Sequence, residues 1–155
     1  MRERNDSKRL RAWRSFLEAH ARVTAELAVE LQESRGLPLS WYDVLEQLAG
    51  APGGRLRMQE LAASVLLSKS GLTRLFDRME AANLVRREPC DTDARGILAV
   101  LTPAGRAALR GAAPVHMRGV QEHFARYLTN DEARVLERAF DKMLSALGPD
   151  HRATA

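Results

Sequence analysis

The sequence predicts a mainly α-helical fold carrying one small β-hairpin. Ala and Leu are abundant and aromatic residues make up only 5% of the 155 residues, a composition that favours helix over sheet. Apolar residues return with a helical period along most of the chain. One segment breaks that period. Leu84-Val85-Arg86-Arg87-Glu88 and Ile97-Leu98-Ala99-Val100-Leu101 are runs rich in Val, Leu and Ile on either side of a charged tip, Pro89 to Gly96, and they read as two strands of a ribbon.

The first helix is expected from about Ser7 to Arg35, with Leu10, Trp13, Phe16, Leu17, His20, Val23, Leu27 and Leu31 in register and Gly36 just past its end. A helix that long needs a partner surface. Residues 1 to 14 carry six basic and two acidic side chains, a basic arm. After Leu37-Pro38-Leu39, Ser40 is the expected N-cap of a second helix, with Asp43 three residues on and Leu39 and Val44 as its staple. That helix carries Trp41, Val44, Leu45 and Leu48 and stops at Gly50-Ala51-Pro52-Gly53-Gly54. A short third helix holds Met58, Leu61, Ala62 and Val65, with Ala62 small enough for a close crossing. Ser68 caps a fourth helix that closes near Asn83, a residue that tolerates the left-handed conformation. After the ribbon, Thr102-Pro103 is an N-cap followed by Pro at the first helical position. The helix it opens is expected to reach about Leu128, with a bend or break at Gly111 and Pro114. Thr129-Asn130-Asp131-Glu132 forms a capping box for a last helix carrying Val135, Leu136, Phe140, Met143, Leu144 and Leu147, ended by Gly148-Pro149.

Length and composition fit one globular domain spanning 1–155. The net charge of +4 and pI near 9.8 are compatible with a nucleic-acid partner without demanding one. Arginine outnumbers lysine 21 to 3; a GC-rich genome explains the ratio, and function explains only where some of the arginines sit. The single cysteine, Cys90, rules out an internal disulfide and fits a reducing cytosol. No apolar run approaches the roughly 20 residues that cross a bilayer, so no membrane partner is expected. Met1 to Lys8 is charged with no apolar segment behind it, unlike a secretory leader. An enzyme is not expected: the chain has no Gly-rich phosphate loop, no paired carboxylates with a pocket and no nucleophile beside a convincing base. No cofactor or metal is implied.

The fourth helix carries the functional signal. Leu72, Leu75, Phe76 and Met79 fall at i, i+3, i+4 and i+7 and make an apolar back. The front carries Lys69, Ser70, Thr73, Arg74 and Asp77. A short helix, a turn, a helix with a polar front and a basic ribbon together describe a winged helix-turn-helix, whose usual partner is double-stranded DNA. The candidate contacts are Ser68, Lys69, Ser70, Thr73, Arg74 and Arg78. Arg74 suits a base or phosphate contact, while Arg78 lies far enough along the helix to reach phosphate only. An ordinary solvated helix face is the plain alternative, and the adjoining turn and ribbon weigh against it. Arg86 and Arg87 fit either phosphate contact or a solvated strand edge that discourages aggregation.

The pattern resembles the MarR family of multiple-antibiotic-resistance regulators over roughly Leu10 to Leu147. The matching residues are Leu61-Ala62, Ser68-x-Ser70-Gly71-x-Thr73-Arg74, Leu84-Val85-x-Arg87, Asp93-x-Arg95 and Leu101-Thr102-x-x-Gly105. The resemblance implies a homodimer built from first and last helices. It places one helix of each subunit in a major groove of a palindromic operator and one wing against the adjacent minor groove. It puts Ser70, Thr73 and Arg74 at groove-facing positions, Arg95 towards the minor groove and Asp93 in support of the wing tip. Asn83 stands where Gly is usual, and Ala94 where a second Arg is common, so this wing has one cation fewer. The expected division is 1–36 and 103–148 for dimerisation and 40–102 for DNA binding.

The resemblance further implies a repressor, released by a small aromatic or anionic effector held in a cleft between the dimer helices and the DNA-binding unit. Trp13, His20 and Trp41 are the candidates for that cleft; Phe16 and Tyr42 read better as core. His116 and His123 share a helix face and with His20 suggest a metal site, but nothing completes it, and hydrogen-bonded histidines are the expected outcome. Cys90 reads as an incidental thiol, because Glu88 and Asp91 oppose the thiolate that redox sensing needs. The alternative function is a winged-helix module that binds protein and has lost DNA binding; such a module has no use for Arg74 together with Asp93-x-Arg95.

Overall fold

The computed structural model describes residues 2–65, 69–90 and 93–147, with side chains from Ser7 onward except at 69 and 93–95. The order is α1 (Arg2–Arg35), α2 (Leu39–Gly50), a 3-10 turn (Pro52–Gly54), β1 (Arg55–Arg57), α3 (Met58–Ser64), α4 (Lys69–Ala81), β2 (Val85–Cys90), β3 (Asp93–Leu101), α5 (Pro103–His123), a second 3-10 turn (Ala125–Tyr127) and α6 (Asn130–Leu147). This is the expected mainly α fold with a small wing. None of the described helices is long and apolar enough to cross a membrane.

α1 begins at Arg2 rather than Ser7. Residues 2 to 6 contain no Pro or Gly, so nothing stops the helix from propagating ahead of its first apolar position. It closes at Gly36, which takes φ +61° and donates its N–H to the Gln32 carbonyl at 2.9 Å. α2 is capped by Pro38 and not by Ser40, which lies inside the helix. Pro38 sits at φ −59°, ψ 140°, and its carbonyl accepts from the N–H groups of Trp41 at 2.9 Å and Tyr42 at 3.1 Å. Leu39 is therefore helical too, and the expected staple with Val44 is out of register.

The expected two-stranded ribbon is a three-stranded antiparallel sheet in the order β1-β3-β2. Arg55 pairs with Val100 and Arg57 with Leu98 along the edge of β3 that the hairpin leaves open. A three-residue strand is too short to show a period, and only its distant partner defines it. The hairpin strands also run further into the tip than expected, to Cys90 and from Asp93, with a register shift at Pro89/Cys90, where proline has no N–H to give a ladder.

One core joins these pieces. Leu31 of α1, Leu45 and Leu48 of α2, Leu61 of α3, Val85 of β2 and Val115 of α5 lie in the same buried cluster as the apolar back of α4, where Leu72, Leu75, Phe76 and Met79 are all buried. α4 ends in a left-handed cap: Asn83 takes φ +58°, its N–H reaches the Glu80 carbonyl at 2.8 Å, and the Leu84 N–H reaches the Met79 carbonyl at 3.0 Å.

Thr102 then ties three elements together. Its hydroxyl accepts from the Gly105 N–H at 2.9 Å, capping α5, and lies 2.7 Å and 2.9 Å from the carbonyls of Asn83 and Leu84. α5 runs unbroken through Gly111 and Pro114 but stops at His123, short of Leu128, because Phe124 leaves the helical region at φ −132°, ψ −63°. α5 crosses closely over α1 at Gly119, where a Cβ would lie 2.5 Å from Glu30 Oε2 and 2.6 Å from Leu27 Cδ2.

The Thr129 box is present: the Thr129 N–H donates to Glu132 Oε2 at 2.9 Å, and these Thr129 bonds lower the Glu132 carboxyl below its ordinary value. The helix it starts, α6, has no buried residue. α6 meets α1 through Phe140 against Phe16, ring centroids 5.5 Å apart, while Val135, Met143, Leu144 and Leu147 stay exposed.

The tightest joint is at Gly105, where an added Cβ would stand 2.0 Å from the Leu84 carbonyl oxygen and 2.9 Å from Leu101 Cδ1. Backbone cannot yield that far cheaply, so Gly105→Ala should cost about 1–3 kcal/mol or more in denaturant unfolding. A neutral result would mean that α5 is not seated on β2 in this way.

Candidate nucleic-acid interface

The apolar back of α4 determines where its front points. With Leu72, Leu75, Phe76 and Met79 against the core, Ser70, Thr73, Arg74, Asp77 and Arg78 are all exposed on the other side. The side chains of Arg74 and Arg78 have no hydrogen-bond or ion-pair partner among the described residues, so their guanidinium groups are available to an anion. Lys69 opens the helix, though its side chain lies outside the described residues, as does the whole of Ser68. α3 precedes α4 as the first helix of the pair, with Arg57 at its N-cap donating its N–H to Glu60 Oε2 at 3.0 Å.

On the wing, Asp93 and Arg95 belong to β3, but their side chains are also outside the described residues. Arg86 pairs with Glu88 at 2.5 Å, and Arg55 approaches the same carboxylate at 3.6 Å. These are exposed pairs of small energetic weight. Arg87 is neither a solvated strand edge nor extended outward. Its guanidinium turns inward onto α4, bonding Asp77 at 2.6 Å and Glu80, and it lies 4.9 Å from the centre of the Phe76 ring. Its N–H also donates to Glu80 Oε1 at 2.7 Å. No local sequence period links positions 77, 80 and 87, so this cluster could not be read from the chain.

The effector candidates are only partly assembled. Trp13, Phe16 and His20 form a ladder along α1, with centroid spacings of 5.8 Å and 6.0 Å. Trp41 packs instead against the core from α2, and no ring contact joins it to that ladder among the described residues. Tyr42, read as core, is buried and stacks on His116 of α5 with ring centroids 4.3 Å apart. Burial, and then the charges of Glu46 and Asp43, raise the Tyr42 hydroxyl above its ordinary value. Partial desolvation raises the Asp43 carboxyl too, with His116 pulling the other way.

The three histidines do not converge: His116 stacks on Tyr42, His123 bonds Glu30 Oε1 at 2.7 Å, and His20 faces Phe16. No cluster of three or more metal-ligating side chains occurs among the described residues. Two open grooves are present, one of about 480 Å³ flanked by Glu46, Pro52 and Glu60, the other of about 700 Å³ flanked by Phe124, Leu136 and Phe140. Neither is lined by Trp13, His20 or Trp41. Cys90 is half-buried on β2.

Comparison with known proteins extends this geometry. The MarR family model matches residues 35–96. AbsC of Streptomyces coelicolor, a MarR family transcriptional regulator, is 40% identical, covers 88% of this chain and 91% of its own, and superposes with a TM-score of 0.82. Sco3205 of the same organism, a MarR family regulator solved in complex with DNA, is 35% identical over 91% of this chain and 92% of its own, TM-score 0.83. A mutant of E. coli MarR complexed with operator DNA shares the fold at 23% identity, 88% and 96% coverage and TM-score 0.77. No curated protein matches the chain.

The buried Nδ1 of His116 has no hydrogen-bond partner among the described residues. An unmet buried polar atom costs about 1–3 kcal/mol. His116→Phe keeps the stack on Tyr42 and removes that atom, so it should raise stability by about 1 kcal/mol in denaturant unfolding. A loss of stability would show that Nδ1 is satisfied in solution.

Proposed function

The chain belongs to the MarR family of transcriptional regulators, and we propose that within it this protein is a homodimeric repressor of a palindromic operator, released by a small aromatic or anionic ligand. It is a DNA-binding regulator and not an enzyme. The observation that carries the proposal is the exposed row Ser70, Thr73, Arg74 and Arg78 on a helix whose other face is buried, in a chain 35% identical to a regulator solved with DNA.

In this reading Ser68, Lys69, Ser70, Thr73, Arg74 and Arg78 enter the major groove, and Arg95, supported by Asp93, meets the minor groove. Residues 40–102 read DNA, while 1–36 and 103–148 dimerise. The bare apolar ends support dimerisation: Trp13 is 56% exposed on α1 and Leu144 68% exposed on α6. Patches of that kind mark association surfaces. A dimer holds its two α4 helices at a fixed separation, which must match half-sites one helical turn, about 34–36 Å, apart. A DNA partner supports a cytoplasmic location.

The ligand is proposed to lie beside Trp13, His20 and Trp41, supported by the exposed ladder on α1 and the half-buried Trp41 ring. It acts by preferring one helix separation over the other; a coupling of about 1–3 kcal/mol gives roughly a 5- to 150-fold change in DNA affinity.

DNA binding is tested by titrating salt against a fluorescent duplex. Affinity should fall as salt rises, with two protomers per operator by sedimentation, and Arg74→Ala should cost about 1–3 kcal/mol on a cognate site. Salt-independent binding would end the proposal. Ligand release is tested with aromatic acids such as salicylate. A releasing acid should change tryptophan fluorescence and lose potency against a folded Trp13→Ala, His20→Ala, Trp41→Ala variant; equal potency would put the ligand elsewhere.

A further inference from the structure

We propose that Arg87 is a positioning residue for DNA reading, locking the wing to α4 so that both meet their grooves in one fixed geometry. The inference rests on the DNA-binding reading above and adds a residue to it.

Four contacts converge on this one side chain and its backbone. The guanidinium bonds Asp77 at 2.6 Å and also Glu80, it lies over the Phe76 ring at 4.9 Å, and the Arg87 N–H donates to Glu80 Oε1 at 2.7 Å. Asp77 and Glu80 are one turn apart on α4, and Phe76 is fully buried in the core. Arg87 therefore grips α4 at its polar edge and against its buried back at once. On the wing side it is held in the ladder, opposite Ala99 of β3. Its side chain is 25% exposed, against 59% for Asp77. A planar guanidinium bonds two carboxylates and stacks on an aromatic ring at the same time, which an ammonium does not.

The carboxylates give the arrangement its meaning. Asp77 lies three residues beyond Arg74 on the exposed front of α4, where a carboxylate without Arg87 would repel the phosphates that Arg74 and Arg78 are free to approach. Simple charge accounting says that removing Asp77 and Glu80 should tighten DNA binding. If they serve as the anchor for Arg87, removing them should weaken it. The two effects have opposite sign.

The probe is a fluorescent duplex selected by the parent protein from a random-sequence pool, with a scrambled duplex of equal length as control. Arg87→Gln and the Asp77→Asn, Glu80→Gln pair should each weaken binding to the selected duplex about tenfold. The three changes together should be no worse than Arg87→Gln alone, because both routes break one clamp. Arg87→Lys should recover only part of the loss. Because Arg87 faces α4, the salt slope of Arg87→Gln should match that of the parent.

A slope lower by about 0.9 would mean that Arg87 itself neutralises a phosphate, and would overturn the proposal. So would tighter binding by the Asp77→Asn, Glu80→Gln variant, or an Arg87→Gln protein that melts earlier yet binds as the parent does. If Arg87→Gln does not fold, the carboxylate variant decides alone by the sign of its effect. A parent without salt-dependent DNA binding sinks the DNA reading and this inference with it; a binding parent with unaffected variants sinks the inference only.

Discussion

Four side chains on the back of α4 anchor the arrangement. Leu72, Leu75, Phe76 and Met79 are buried in one apolar cluster that also takes residues from α1, α2, α3, β2, β3 and α5, so α4 is seated in the common core of the protomer. Each such side chain contributes about 1.5–3 kcal/mol by leaving water. Their burial holds the helix, and because side chains on a helix have fixed angular spacing, it also orients the opposite face. Ser70, Thr73, Arg74 and Arg78 point outward as a consequence of what points inward.

Around that helix the joints are polar and local. Thr102 bonds back to Asn83 and Leu84 and forward to Gly105, so the end of α4, the start of the wing and the start of α5 meet at one hydroxyl. Gly105 lets α5 approach a carbonyl that any side chain would displace. Arg87 makes the corresponding link on the other side, from wing to helix front. Both links are short and directional, so they fix how the wing, α4 and α5 sit relative to one another. The exposed pairs, such as Arg22 with Glu18 or Arg86 with Glu88, impose no such geometry and carry little energy.

The two ends of the chain are built differently. No residue of α6 is fully buried, Leu136, Ala139 and Phe140 being half-buried, and the first half of α1 leaves Leu10, Trp13, Phe16 and Leu17 exposed. Among the described residues, the ring contact between these helices is Phe16 against Phe140. The core around α4 is thus complete within one protomer, while the apolar side chains at the two ends stay exposed.

Much of this was legible in the chain because it is local. The period of α4, the left-handed Asn83, the Thr102-Pro103 helix start and the Thr129 box depend on residues within a turn of one another, and all are present. The exposed front of α4 follows from the same period. What the chain did not disclose depends on partners far away in sequence. β1 exists only because β3 has an open edge; three residues carry no pattern of their own. Arg87 looked like a solvated edge or a phosphate contact until β2 was folded beside α4, seven and ten residues back. Among the described residues, no ring contact joins Trp41 to Trp13 or His20, and His116 stacks on Tyr42. Helix periodicity and capping are properties of the sequence alone, since their interactions close within a few bonds of backbone. Strand pairing, ion-pair partners and aromatic neighbours were decided by tertiary structure, since many residues carry the same chemistry and only packing selects which of them meet.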